Sequence, residues 1–388
     1  MIPAEHPHIQ KLVRHQIAVF PEHEEFLRDR FASVSMSGWL FIEEMAAKVL
    51  QIAGDRLDLV CADYRWLSEI LLDEELHFRR TGRYRLTSFA EADAAVYSRP
   101  DIMSRYMNGL LASQLWWRNH TEMLSYFRDD FVERNPFGFT HLEIGPGHGL
   151  FLYLAAASQR CGSAAGWDIS DASLSTTLAA LSAMQLSRPV LMGKVNLFDA
   201  PDRHFSSITF SEVLEHLERP DQALTILHRL LSDDGRLFLN APVNSPAPDH
   251  IHLFGTPEEL LQMVMDAGFL IESSRLAPCN GTSLERARKL KLTISVGIIA
   301  RKACKEGGLD DEWEIITKIV RYLFDEYHGP VTAALSARDV PQWNSLLNIQ
   351  FLVLIEQAFD IRFSSREVGQ LKNVGELVAA IKAQRALK

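Results

Sequence analysis

Apolar and polar positions divide the chain into three textures. From about Ala4 to Arg134 the apolar residues recur at helical spacing in long, aromatic-rich amphipathic stretches. Within them, the run from His77 to Thr87 alternates and turns at Gly82, which predicts a short hairpin. The stretch Met103 to Phe131, with Tyr106, Leu110, Leu115, Trp116 and Trp117, predicts one long helix. From Gly138 to Lys302, strand-like and helix-like patterns alternate. The strand candidates are Thr140–Ile144, Ser163–Trp167, Val190–Val195, Ser207–Phe210, Arg236–Asn240, Phe269–Arg275 and Lys291–Ile299. Repeated strand–helix units predict a doubly wound parallel sheet, its last two strands antiparallel because their connection leaves little room for a crossover helix. A polar linker with Gly307-Gly308 follows, and then helices are expected at Glu312–Tyr327, Leu346–Phe359 and Val374–Ala383. The expected division is 1–135, 136–302, linker 303–311 and 312–388.

Composition narrows the classes. An apolar fraction of 47% with 23% charged residues is ordinary for a globular chain and excludes disordered or fibrous readings. The net charge of −10 argues against a chain that wraps nucleic acid. Cys61, Cys161, Cys279 and Cys304 are scattered, so neither a disulfide framework nor a zinc knuckle is expected. The first residues lack a signal-peptide core, and no apolar run reaches the ~20 residues of a membrane span. The expectation is a soluble, cytoplasmic protein.

The strongest chemical signal is His141-Leu142-Glu143-Ile144-Gly145-Pro146-Gly147-His148-Gly149, after a strand and before the apolar helix Leu150–Ala157. Missing side chains let backbone approach a ligand, and free N–H groups at a helix start favour negative charge. Asp168 ends the next strand, where a carboxylate can take both hydroxyls of a ribose. A third strand ends in Val195-Asn196-Leu197-Phe198, where a polar side chain can meet an adenine edge. Together with Phe210-Ser211-Glu212, Asp234-Gly235-Arg236 and Asp266-Ala267-Gly268-Phe269, these residues resemble the class I S-adenosylmethionine (SAM)-dependent methyltransferases. The resemblance implies a Rossmann-like, seven-stranded α/β sheet. It implies SAM bound by Glu143 (methionine portion), Gly145, Gly147 and Gly149 (the bend), Asp168 (ribose), Asn196, Leu197 and Ser211. Ser206 departs from the Asp that the family often carries before its fourth strand.

Glu212, Glu215 and His216 stand at i, i+3 and i+4, a spacing that gathers them on one helical face. Downstream, Asp249-His250-Ile251-His252 lies in the loop after the fifth strand. This pattern is similar to small-RNA 2′-O-methyltransferases and ubiquinone-pathway O-methyltransferases, where such a turn and a later His hold a metal. The resemblance implies a divalent ion, Mg²⁺, Mn²⁺ or a transition ion, on Glu212, Glu215, His216 and His252. Without metal, His216 or His252 is the expected catalytic base. Thr256-Pro257-Glu258-Glu259 reads as a capped helix start.

Val340-Pro341-Gln342-Trp343-Asn344-Ser345-Leu346, the apolar helix after it and the late Val374-Gly375-Glu376-Leu377 resemble an acyl or peptidyl carrier protein. That implies a 4′-phosphopantetheine arm on Ser345 and, as partners, a phosphopantetheinyl transferase and acyl- or aminoacyl-loading enzymes. Asn344 stands where Asp is usual, and Glu356 is the sole charge between Ser345 and Phe359. The segment around Gly82 resembles the wing of winged-helix dimerisation domains in natural-product O-methyltransferases, which implies a homodimer contact or a substrate lid. Arg79, Arg80, Arg83 and Arg85 there are expected on a solvated edge or a subunit contact.

The expected activity is methyl transfer, with oxygen the first-choice acceptor, to a small or thioester-tethered substrate in natural-product biosynthesis. Two alternatives stand beside it, an RNA 2′-O-methyltransferase and a carrier scaffold with a vestigial methyltransferase fold.

Overall fold

The structure, a computed structural model, describes residues 2–303, 312–324, 327, 329–369 and 371–385. The linker expected at 303–311 lies, apart from Ala303, outside them. Ahead of the sheet come α1 (Pro7–Val19), α2 (Glu24–Phe31), α3 (Met36–Ala53), α4 (Leu57–Thr81), α5 (Phe89–Ala92), α6 (Pro100–Trp116) and α7 (Arg118–Tyr126). The expected hairpin is not formed. Instead α4 runs through the alternating segment to Thr81, where Gly82 adopts φ +69° and returns its N–H to the Phe78 carbonyl. Glycine's freedom at positive φ makes this a helix stop rather than a hairpin turn. No strand precedes residue 139 among the described residues, so the winged-helix expectation loses its wing. The long helix expected over Met103–Phe131 is also broken, at Trp117, whose extended backbone separates α6 from α7.

All seven strand candidates are strands: β1 (Phe139–Ile144), β2 (Cys161–Asp168), β3 (Val190–Lys194), β4 (Phe205–Ser211), β5 (Leu231–Val243), β6 (Phe269–Pro278) and β7 (Ile294–Lys302). They pair in the order β3-β2-β1-β4-β5-β7-β6, parallel as far as β5, with β7 antiparallel to both its neighbours. Between strands lie α8 (Leu150–Ala157), α9 (Asp171–Ala183), α10 (Pro220–Leu230), α11 (Pro257–Asp266) and the short α12 (Leu284–Leu290). Alternation along β5 shows how the layers form. Phe238 joins the cluster of the N-terminal helices, while Leu237 and Leu239 join that of α10 and α11 on the other face.

Phe127 is the hub of the first face, with ring centroids 5.0 Å from both Phe151 and Phe238 and 5.4 Å from Phe131. It is fully buried, so Phe127→Ala is expected to destabilise the fold by ~3–5 kcal/mol, read as a lowered denaturation midpoint. Trp116 is likewise buried in this core. After the sheet, α13 (Glu312–Leu323), α14 (Ser345–Phe359), α15 (Ser365–Val368) and α16 (Val374–Arg385) enclose a separate apolar cluster with Ile316, Phe324, Phe351 and Ile355.

Candidate active site

The chemistry-bearing residues gather at the carboxyl ends of β1 to β5, where open α/β sheets place ligands. Glu143 is the penultimate residue of β1 and buried, and its Oε2 has no hydrogen-bond partner. Burial alone pushes its carboxyl well above the usual carboxylate range. The loop that follows turns through positive φ at Gly145, Gly147 and Gly149. A Cβ on Gly145 would stand 2.9 Å from Val213 Cγ2, so the cradle closes if the glycine is lost. The Thr177 hydroxyl of α9 donates to the Gly147 carbonyl at 2.8 Å and holds the loop.

Asp168, at the end of β2, is pre-set: Ser170 N–H donates to Oδ1 at 2.9 Å and the Ser173 hydroxyl to Oδ2 at 2.6 Å. Asn196 accepts from Phe198 N–H at 3.1 Å and so orders the turn after β3, in which Leu197 is buried. At the end of β4 the Asn240 amide donates to the Ser211 hydroxyl at 3.1 Å and to Glu212 Oε1 at 2.9 Å. A buried carboxyl with an open valence, a glycine cradle and a braced aspartate fit an adenosyl amino acid with an ammonium group.

The Glu-x-x-Glu-His segment is not the helical face its spacing suggests. Glu212 has φ +54°, and a short 3₁₀ turn over Leu214–His216 carries the other two residues. Glu215 is completely buried, and neither of its oxygens makes a well-formed hydrogen bond; its own N–H and the Glu212 carboxyl are its near polar neighbours. Burial first, and the neighbouring Glu212 carboxylate second, push its carboxyl well up; burial lifts Glu212 to about 7.

Two imidazoles face Glu215. His216 Nε2 lies 3.8 Å from Glu215 Oε1, and His250 Nε2 lies 3.9 Å from it. His250 Nδ1 is 2.6 Å from the Ser245 carbonyl, and His216 Nδ1 is 3.0 Å from the Asp249 carbonyl. A carbonyl only accepts, so the hydrogen-bond network assigns the proton to Nδ1 in both rings and leaves both Nε2 lone pairs aimed at a carboxylate. Three such groups turned on one point need a proton or a cation between them. One ligand atom from each of Glu215, His216 and His250 lies within 4.8 Å of the others.

The structure does not bring His252 to this point. Its backbone N–H donates to the Glu215 carbonyl at 2.9 Å, but its ring packs on Phe254 with centroids 4.5 Å apart. His250, two residues earlier, takes the place expected of His252. Sequence reasoning also passed over Tyr97 and Tyr106, which donate to Asp249 Oδ2 and Oδ1 at 3.0 and 2.7 Å across 152 and 143 residues of chain. No local spacing signals such pairs.

Thr256, Pro257 and Glu259 open α11 as expected, with the Thr256 hydroxyl accepting from Glu259 N–H at 3.2 Å. Arg79 donates to the Leu290 and Lys291 carbonyls, and Arg85 pairs with Asp73 and Glu74. Both therefore brace the chain itself. In the C-terminal bundle the Asn344 side chain accepts from Leu347 N–H at 3.0 Å and caps α14, with Ser345 as its first residue. The Ser345 side chain lies outside what is described.

Residues 116–274 match the family model described as a methyltransferase domain. No curated protein sequence matches the chain. Among solved structures it is similar to the mitomycin 7-O-methyltransferase MmcR, with 14% identity over 69% of this chain and 76% of that one and a TM-score of 0.44. It is similar to the [4+2]-cyclase SpnF, with 18% identity, 45% and 78% coverage and a TM-score of 0.36. The YcgJ protein from Bacillus subtilis gives 14%, 48% and 100%, and 0.39.

Proposed function

We propose that this SAM-dependent methyltransferase delivers its methyl group to an oxygen of a small-molecule or carrier-tethered acceptor, at a divalent metal held by Glu215, His216 and His250. The observation that carries the reading is the convergence of two imidazole Nε2 atoms on the buried Glu215 carboxyl. Two imidazoles and one carboxylate suit a transition ion or Mn²⁺ better than Mg²⁺, which prefers oxygen ligands. Such an ion lowers the pKa of a hydroxyl it binds.

The chain's own residues do the rest. Glu143 binds the ammonium end of SAM, and the Gly145–Gly149 turn lets backbone follow the bend. Asp168 takes the ribose, and Asn196 and Leu197 frame the base, with Ser211 beside them. SAM supplies an electrophilic methyl group when bound. Holding acceptor and methyl in line supplies much of the acceleration, on the order of several kcal/mol. The pathway setting, natural-product biosynthesis, rests on the carrier-like C-terminal bundle, whose Ser345 would hold the acceptor as a thioester on phosphopantetheine.

Two measurements test this reading. A calorimetric SAM titration is expected to show one site, and no binding would favour a vestigial fold. Treatment with a phosphopantetheinyl transferase is expected to raise the intact mass of the wild type but not of Ser345→Ala. An unchanged wild-type mass would remove the tethered acceptor and leave the free one.

A further inference from the structure

We infer that Asp249, clasped by Tyr97 and Tyr106 from the helices ahead of the sheet, is the positioning residue that sets His216 in the metal centre. Those helices are thereby a working part of the site. The inference rests on the metal reading above.

Asp249 is buried, and its two oxygens accept the hydroxyls of Tyr106 and Tyr97. Tyr97 has a single hydroxyl proton, and the carboxylate takes it. Its oxygen, 3.0 Å from His216 Nδ1, can then only accept from that nitrogen. The Asp249 carbonyl faces the same Nδ1 at 3.0 Å and also only accepts. Two acceptors thus hold the proton on Nδ1 and present Nε2 as a lone pair. The Asp249 carboxylate, 3.6 Å from Nδ1, adds negative charge behind the ring, which makes an imidazole a better metal ligand.

Simple packing does not account for this. Phenylalanine would fill the same space, and a buried hydroxyl costs free energy unless it is used. Both hydroxyls are spent on one carboxylate. Tyr97 is delivered by the π-helical turn Asp93–Tyr97, a geometry found often at functional sites, and Tyr106 by the middle of α6. Tyr84, from the segment after α4, accepts from Ser245 N–H at 2.9 Å and so supports the carbonyl that anchors His250.

The test uses the full chain freed of metal with chelator and titrated calorimetrically with Mn²⁺ alone. Wild type is compared with Tyr97→Phe, Tyr106→Phe and Asp249→Asn, and each is also titrated with SAM to verify folding. The expected result is Mn²⁺ affinity ~10–100-fold weaker in Tyr97→Phe and Asp249→Asn, with SAM affinity unchanged. In wild type, Mn²⁺ is also expected to slow amide hydrogen exchange over residues 97–106. Variants that fold and bind Mn²⁺ as wild type does would overturn the positioning role. A wild type that binds SAM but no metal would instead overturn the metal reading on which that role depends.

Discussion

Glu215→Ala protein is expected to purify without divalent metal and to lose methyl transfer by at least about a hundredfold, since a bound metal contributes several kcal/mol at such a step. Elemental analysis after gel filtration makes the comparison, with His216→Ala and His250→Ala expected to follow Glu215→Ala. His252→Ala is expected to keep its metal, because that ring packs on Phe254. Metal content that is unchanged in Glu215→Ala would retire the site. The same position carries an opposite effect on stability. Glu215 is buried with no well-formed hydrogen bond to either oxygen, so in chelator the chain bears the cost of a desolvated carboxyl. An unsatisfied buried group of this kind costs ~1–3 kcal/mol. Metal-free Glu215→Leu is therefore expected to denature at a higher temperature than metal-free wild type.

Glu143→Gln is expected to weaken SAM by ~10–100-fold, the loss of one charge-assisted hydrogen bond. Calorimetry on the folded variant measures it. The proton count gives a second readout. Burial holds the free Glu143 carboxyl well above its ordinary range, so it keeps its proton to higher pH than an exposed carboxyl does. An ammonium group binds the ionised form, so SAM binding releases a proton from Glu143. Affinity therefore falls as pH drops through the raised pKa, and the binding enthalpy depends on the ionisation heat of the buffer. In Glu143→Gln the proton release at this position is gone. Equal proton release in both proteins would separate Glu143 from the ammonium.

What was legible in the sequence follows from the range of each interaction. The glycine loop, Asp168 and the seven strands are written in local spacing, and each appears at the end of the strand expected to carry it. The hairpin around Gly82 failed because alternation over a few residues is weaker than the helix entering it. One glycine able to cap that helix decided the outcome. The helical reading of Glu212 to His216 failed for a related reason: Asn240 on the adjacent strand holds the Glu212 backbone and side chain, and the turn becomes 3₁₀. His250 and His252 are equivalent by spacing. The Ser245 carbonyl chooses between them, and its position depends on Tyr84, 161 residues earlier.

The aromatic core around Phe127 sets a boundary on how this enzyme can be recombined. Phe31, Trp116, Phe127 and Phe131, from ahead of the sheet, share one apolar cluster with Phe139, Phe238 and Ile299 of the sheet and Phe151 of α8. The match to the methyltransferase family begins at residue 116, inside that cluster. A cut at that point would part Phe31 and the other residues of α1 to α6 from Phe127 and Phe131, which stay with the sheet, and so would open this shared cluster. The C-terminal helices enclose an apolar cluster of their own, against which Met265 of α11 and Leu270 of β6 also pack.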